Sequence, residues 1–232
     1  METFAVQPRD TTCRTLLHAA HHAFRRDLDR LAAAVAAGKG GASHVRAGWE
    51  NLKEQIRLHQ ELEDGWLWPR VERAVAGRRV ERAVLEEMRA DHVRLAPLIA
   101  RVDAAMGTAP GRGSAVGEGG ELSAAARELR EALERHLLHE EMSALPLAES
   151  VLADAQWREL AAEARGRCEA GTPLFVPWVV DGIGPVERSR FLTSLPAPLR
   201  DLNRVRAARP EGGGHCNKHS SDRPRGCGGG SL

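Results

Sequence analysis

The feature that most constrains the fold of this chain is a row of positions spaced alternately three and four residues apart. The row recurs in four long segments, at about residues 11–37, from about residue 43, at about 80–106 and at about 121–145. The alternation follows the 3.6-residue turn of an α-helix, so each row forms one narrow face, which we call the inner stripe. Four such helices joined by short or Gly-rich loops predict an all-α fold, an antiparallel up-and-down four-helix bundle.

The remaining segments differ from the bundle in composition. A shorter fifth helix is predicted at about 147–168, so that the bundle domain spans residues 11–170. Residues 171–210 contain PLFVPWVV and two short helical stretches, near 186–195 and 198–208. Their apolar side chains need burial, so we expect a C-terminal extension packed on the bundle. Residues 211–232 are rich in Gly, Ser and Arg and are expected to form a disordered tail.

Composition excludes several classes of protein. The sequence has 33 Lys and Arg against 32 Asp and Glu, so no strong basic charge predicts a nucleic-acid partner. The sequence contains no run of eighteen apolar residues, so no membrane span is predicted. The four cysteines are scattered without a CxxC pair, so we expect a reduced, cytoplasmic protein. Ten histidines stand beside no tyrosine at all, which excludes a tyrosinate ligand or tyrosyl radical.

Six positions of the inner stripe carry ionisable residues instead of apolar ones. They are His21, His59, Glu63, His92, His136 and Glu140. Burying that many ionisable groups without partners costs several kcal/mol each. A metal site removes this cost, and imidazole with carboxylate suits iron, manganese or zinc. The alternative is a buried network of hydrogen-bonded polar groups.

The spacing of these residues favours the metal site. His59 and Glu63 are four residues apart, so they share a helix face, and His136 and Glu140 repeat the pair. A shift of 71 residues superposes the lone stripe histidine of the first helix on that of the third. A shift of 77 superposes the two His–Glu pairs. The chain thus carries the same ligand set twice, as a pair of metal ions with bridging carboxylates requires.

These motifs resemble those of a known family. The chain is similar to the hemerythrin-like HHE cation-binding family in four motifs. They are HHAFRRDLDRL, which contains the first stripe histidine, and then HQELEDGWLWP, DHVRL and HLLHEEMSALP. The similarity is greatest to its bacterial branch with the ligand set H…HxxxE…H…HxxxE, in which four His and two Glu hold a non-haem di-iron centre. The resemblance covers about residues 11–165, and more weakly the extension to about residue 208.

The resemblance implies a role for each stripe residue. The four histidines become terminal ligands, and the two glutamates bridge two iron ions that also share an oxo or hydroxo group. His21 is favoured over its neighbour His22 because it lies on the stripe. Oxygen-carrying hemerythrins have a second His on the third helix, where this chain has Ala96. They also place the last carboxylate one residue later, so Glu141 is the alternative to Glu140.

The missing fifth histidine predicts an open position on one metal. We therefore expect a protein that binds or reacts with a small oxidant, O2, H2O2 or NO, rather than a dedicated oxygen carrier. Whether it consumes peroxide or NO as an enzyme is left open. An iron–sulfur-repair or iron-donor protein is an alternative, although the short N-terminal segment has only Cys13. A metal-stabilised regulatory module, with the extension docking a partner, is another. His18, His22 and His139 flank the stripe, where we expect solvated positions or contacts to the ligands.

Overall fold

The computed structural model describes residues 12–108, 118–171 and 175–195, and within these ranges all regular elements are helical. In chain order the helices are α1 (Thr12–Ala36), α2 (Ser43–Leu62), α3 (Trp68–Ala74), α4 (Arg79–Thr108), α5 (Glu118–His139), α6 (Leu145–Val151), α7 (Asp154–Gly171), α8 (Phe175–Val179) and α9 (Pro185–Ser194). Two π-helical turns, Glu63–Leu67 and Glu140–Ala144, join α2 to α3 and α5 to α6. No helix in these ranges has the length and apolar composition needed to cross a bilayer.

The four long helices form the predicted bundle. α1 packs against α2 and α5, and α4 packs against the same two helices, so the four helices surround one core. Each long helix contributes a large apolar side chain to that core, and Phe24, Leu52, Leu95 and Leu129 are all at most 1% exposed. Between α1 and α2 the chain reverses at Gly38, whose φ of 69° favours glycine. The all-α fold is confirmed.

A second apolar cluster lies where α3, α6 and α7 meet. Trp68 and Trp157 are 0% and 5% exposed there. The predicted fifth helix at about 147–168 is wrong as a single element, because the chain is broken between α6 and α7. Leu152 adopts an extended conformation, with φ −92° and ψ 135°, and directs a buried side chain into this cluster. The backbone N–H of Ala153, the residue after Leu152, donates to the side-chain oxygen of Gln156 at 3.0 Å. This contact caps the start of α7.

The described part of the predicted extension lies against α1. Trp178 in α8 contacts Phe24 and donates its indole N–H to Asp27 Oδ2 at 2.7 Å. Arg26 donates to the backbone carbonyl of Trp178 at 3.0 Å and to that of Asp181 at 2.6 Å. The helix predicted at 186–195 is found as α9. The helix predicted at 198–208, and the tail at 211–232, lie outside the described residues.

Candidate metal centre

Each stripe glutamate begins a π-helical turn. In the first, the backbone carbonyl of Glu63 accepts the N–H of Trp68, five residues on, and Pro69 follows within the first turn of α3. A proline has no N–H and clashes with the carbonyl four residues earlier in a regular helix, and the wider π turn relieves both problems. The second turn begins at Glu140 and precedes Pro146 in the same way. The helical path therefore continues past both prolines.

The structure brings all six predicted ligand residues into the centre of the bundle. Their exposed fractions are 0% for His21, 8% for His59, 0% for Glu63, 6% for His92, 2% for His136 and 0% for Glu140. Among the described residues, Gln55 is the only other buried polar residue. His22 is exposed, in agreement with the choice of its neighbour.

Glu63 faces both halves of the internal repeat. Its Oε1 lies 2.9 Å from Nε2 of His59, which belongs to the first half, and its Oε2 lies 3.3 Å from Nε2 of His92, which belongs to the second. A carboxylate whose two oxygens point at different sets of nitrogens has the arrangement of a bridging ligand.

Glu140 makes the corresponding approach from the second half. Its Oε2 lies 3.2 Å from Nε2 of His21, 3.8 Å from Nε2 of His59 and 4.0 Å from Nε2 of His136. Each glutamate therefore lies between a histidine one turn earlier on its own helix and a histidine of the other half. The Nε2 atoms of His21 and His59 are themselves only 3.2 Å apart, so both nitrogens point at one place.

Three groups of donor atoms have all their members within 4.8 Å of one another, and two of these groups lie in the centre of the bundle. One contains His21, His59, Glu63 and Glu140, and the other contains Glu63, His92 and His136. Several atoms of the cluster are buried without a hydrogen-bond partner among the described residues, among them both oxygens of each glutamate and Nε2 of His92. Buried polar atoms without partners are costly, and a cation in each group would satisfy them. The residues present therefore fit a site for two metal ions.

The residue that follows each stripe glutamate contacts a histidine from outside the cluster. Glu141 Oε1 lies 2.8 Å from Nδ1 of His21 and accepts a further hydrogen bond from Arg25 at 2.9 Å. Asp64 Oδ2 lies 2.8 Å from Nδ1 of His92. A carboxylate that accepts the Nδ1–H of a histidine fixes the ring and aims Nε2 at the centre. Glu141, the alternative ligand, lies outside both central groups but belongs to the third group, with His18 and His21.

The sequence analysis missed Asp64. The signal was present, because Asp64 follows its stripe glutamate just as Glu141 does in the second half of the repeat. Its contact with His92 depends on the packing of α4 beside the first π turn, which spacing along one helix does not reveal.

A comparison with family models agrees with this geometry. The model described as the hemerythrin HHE cation binding domain matches residues 14–148. The chain belongs to this family. The match runs from α1 to α6 and includes all six clustered residues, and the family description with the buried His/Glu cluster indicates a metal-binding domain. Searches of curated proteins and of solved structures returned no significant match.

The histidines that flank the stripe of the hemerythrin domain lie at its edge. His18 is exposed, with its ring centroid 6.0 Å from that of His21. His139 is half-buried, and its Nδ1 lies 3.8 Å from a carboxylate oxygen of Asp91. Ala96 is exposed, so the position at which oxygen-carrying hemerythrins have a further histidine does not line this cluster.

The carboxylates set the charge of the metal-free cluster. Burial opposes a positive charge on His59, but Glu63 and Glu140 outweigh it and raise the pKa of His59 to about 10. Burial likewise opposes a charge on His92, while Asp64 and Glu63 raise the pKa of that imidazole to about 9. Without metal, these two imidazoles are therefore protonated at neutral pH, and a cation that binds there takes the place of their protons.

Proposed function

We propose that the hemerythrin domain holds two iron ions and that this pair binds or reacts with a small oxidant, O2, H2O2 or NO. The observation that carries the proposal is Glu63, whose two oxygens lie 2.9 Å and 3.3 Å from histidines of different halves of the bundle. A single metal ion would not need a carboxylate in that position, whereas a pair needs a bridge.

Under this proposal each half of the repeat supplies the terminal ligands of one iron. His21 and His59 hold the first, His92 and His136 hold the second, and the two stripe glutamates bridge them. The assignment follows the two groups of donor atoms and the bacterial branch of the family that the motifs resemble. Bound iron supplies the electrons with which an oxidant is reduced.

The protein residues around the cluster limit what can reach it. Phe24, Ile56, Met88 and Leu133 lie one turn from the proposed ligands and are at most 3% exposed. These apolar side chains would keep bulk water away from the cluster. The second group offers three protein residues where the first offers four, so the second group would leave more room for an oxidant.

A metal count combined with an optical spectrum tests the proposal. The purified protein is analysed for iron, manganese and zinc, and its absorption is recorded before and after peroxide is added. We expect two irons per chain and an oxo-bridge absorption that responds to peroxide. Zinc alone, or no metal, would overturn the proposal and favour a metal-stabilised interaction module. Reversible oxygenation without autoxidation would instead identify an oxygen carrier.

The location of the protein is part of the proposal as well. The scattered cysteines favour a reduced, cytoplasmic protein in which iron is available in its divalent form.

A further inference from the structure

Two aromatic contacts connect the metal cluster to the C-terminal extension. The ring of Phe24 lies edge-on to the ring of His59, with centroids 5.3 Å apart. The other side of Phe24 contacts the indole of Trp178, again with centroids 5.3 Å apart. Because Phe24 is 1% exposed and Trp178 is 5% exposed, no solvent separates these rings. A continuous aromatic path therefore leads from a proposed iron ligand to α8.

The far side of that path is a groove. A cavity of about 880 Å³ lies between α1, α2 and the extension, and Trp178, Pro177, Leu31 and His44 are among the residues that line it. Its volume is in the range of small-molecule sites, and its walls combine apolar and charged side chains. A small organic molecule in this groove would contact the indole without reaching the metals.

The indole of Trp178 is placed to lose an electron and a proton together. Its N–H is donated to Asp27 Oδ2 at 2.7 Å, while Oδ1 of the same carboxylate pairs with Arg26 and Arg30. Asp27 is therefore the group that would take the proton. The guanidinium carbon of Arg26 lies 5.9 Å from the ring centroid and disfavours a positive charge on the ring. A neutral indolyl radical, formed when the proton moves to Asp27, avoids that repulsion. The chain has no tyrosine, so an indole is its most readily oxidised aromatic side chain.

We propose that Trp178 relays electrons from a small organic one-electron donor, bound in the groove, to the metal pair, and we take a hydroquinone as the donor that probes this site. The inference rests on the proposed function, because it supplies the reductant that peroxide consumption requires. Peroxide takes two electrons and two protons and becomes two waters. Twice for each peroxide, Trp178 would give up one electron toward the cluster and pass its N–H proton to Asp27. A hydroquinone then returns an electron to the indolyl radical, Asp27 returns the proton, and the donor releases its own proton to solvent as it becomes a semiquinone. Overall, two hydroquinones and one peroxide give two semiquinones and two waters.

Rapid freezing after peroxide addition tests the relay. The iron-loaded protein, labelled with ring-deuterated tryptophan, is frozen within milliseconds and examined by electron paramagnetic resonance. We expect a tryptophan radical in the unaltered protein and in W157F, and none in W178F. Trp157 is the matched control because it is also 5% exposed but lies in the other apolar cluster.

Two further variants keep the test decisive if W178F folds poorly. D27N retains an acceptor oxygen but offers no carboxylate base, and F24L removes the aromatic contact with His59 while leaving the indole in place. Each should lower the radical yield and the hydroquinone-dependent rate of peroxide consumption at least tenfold, with iron content unchanged. Circular dichroism and iron analysis are recorded for every variant.

The outcomes separate this inference from the proposed function. If the unaltered protein binds no iron or leaves peroxide unconsumed, the proposed function itself fails. If it binds iron and consumes peroxide but shows no tryptophan radical, the relay is overturned. It is equally overturned if W178F, F24L and D27N all consume peroxide with hydroquinone at the unaltered rate.

Discussion

The two halves of the bundle carry the same residue types in different surroundings. In the first half, His21 and His59 lie in a group with both stripe glutamates, whereas in the second half His92 and His136 share only one. Glu140 lies nearer to the first half, since its Oε2 is 3.2 Å from Nε2 of His21 and 4.0 Å from Nε2 of His136. The repeat thus determines which donors are present, and the packing determines how many reach each position.

Glu141 and Asp64, which contact histidines from outside the cluster and which we call the outer carboxylates, also differ between the two halves. Glu141, behind His21, is 21% exposed and is held by Arg25, whereas Asp64, behind His92, is 41% exposed. Water weakens a contact in proportion to its exposure, so the first half holds its histidine more firmly. Under the proposed function, we interpret the first half as the one that holds its metal more firmly and the second half as the one at which ligands exchange.

Replacing the shared residue should have the largest effect. Glu63 is the member common to both groups, so E63Q should lose both metals, because it removes the one donor residue that the two groups share. Metal content per chain, measured after gel filtration, is expected to fall from two to near zero.

The matched control for E63Q is E61Q. Glu61 lies on the same helix, is 43% exposed and pairs with Arg57 on the surface. It should keep the full metal content. A full complement of metal in E63Q would show that the two positions are independent.

Removing one histidine from each half should then distinguish the halves. H136A leaves the second group with two residues, so we expect it to retain one metal of two. H59A leaves three residues in the first group, so we expect weaker but measurable binding at both positions. Metal analysis over a series of chelator concentrations measures the difference. Equal losses in H59A and H136A would refute the asymmetry.

The sequence predicted the bundle and the clustered residues because both follow from spacing along single helices. His59 and Glu63 share a face at four-residue spacing whether or not the rest of the fold is known. The same reasoning missed the π turns, because a pattern of apolar positions does not reveal a backbone hydrogen bond five residues long. It therefore gave no reason for the helical path to continue through Pro69, as it does in the structure.

The spacing of residues along one helix could not predict contacts between distant segments of the chain. The hydrogen bond between His21 and Glu141 joins residues 120 positions apart, and its existence depends on how α1 packs beside the second π turn. The break at Leu152 likewise follows from a requirement of the core, to bury one leucine, and no glycine or proline marks it.

The outer carboxylates should give a smaller, graded effect. Replacing such a partner typically lowers metal affinity about 10–100-fold. We expect E141Q to lie toward the upper end of that range and D64N toward the lower end, because Asp64 is the more exposed at 41% against 21%. Competition with a chromogenic chelator measures both affinities.

E134Q is the control for E141Q. Glu134 also pairs with Arg25, at 2.8 Å, and differs from Glu141 in having no hydrogen bond to His21. If E134Q weakens metal binding as much as E141Q does, the effect comes from Arg25 and the proposed orientation of the histidine is incorrect.

The smallest expected difference lies in the pH dependence of the two affinities. Only a neutral imidazole binds metal, so a raised pKa makes affinity increase with pH until that pKa is passed. In the first half the pKa of His59 is about 10 and that of His21 is raised, since Glu140 and Glu141 together outweigh the burial that opposes its charge. In the second half the pKa of His92 is about 9, but burial lowers the pKa of His136, which is already neutral.

The first metal should therefore displace more protons than the second. Between pH 6.5 and 8.5, chelator competition should show a steeper rise of affinity at the first position, and calorimetry in buffers of different ionisation enthalpy should show the larger proton release there. H136A should leave the pH dependence of affinity at the first position unchanged, because the imidazole of His136 is neutral and has no proton to release. Equal slopes would mean that the two halves present the same charge to the metal, and the difference in donor number would then be the only asymmetry left.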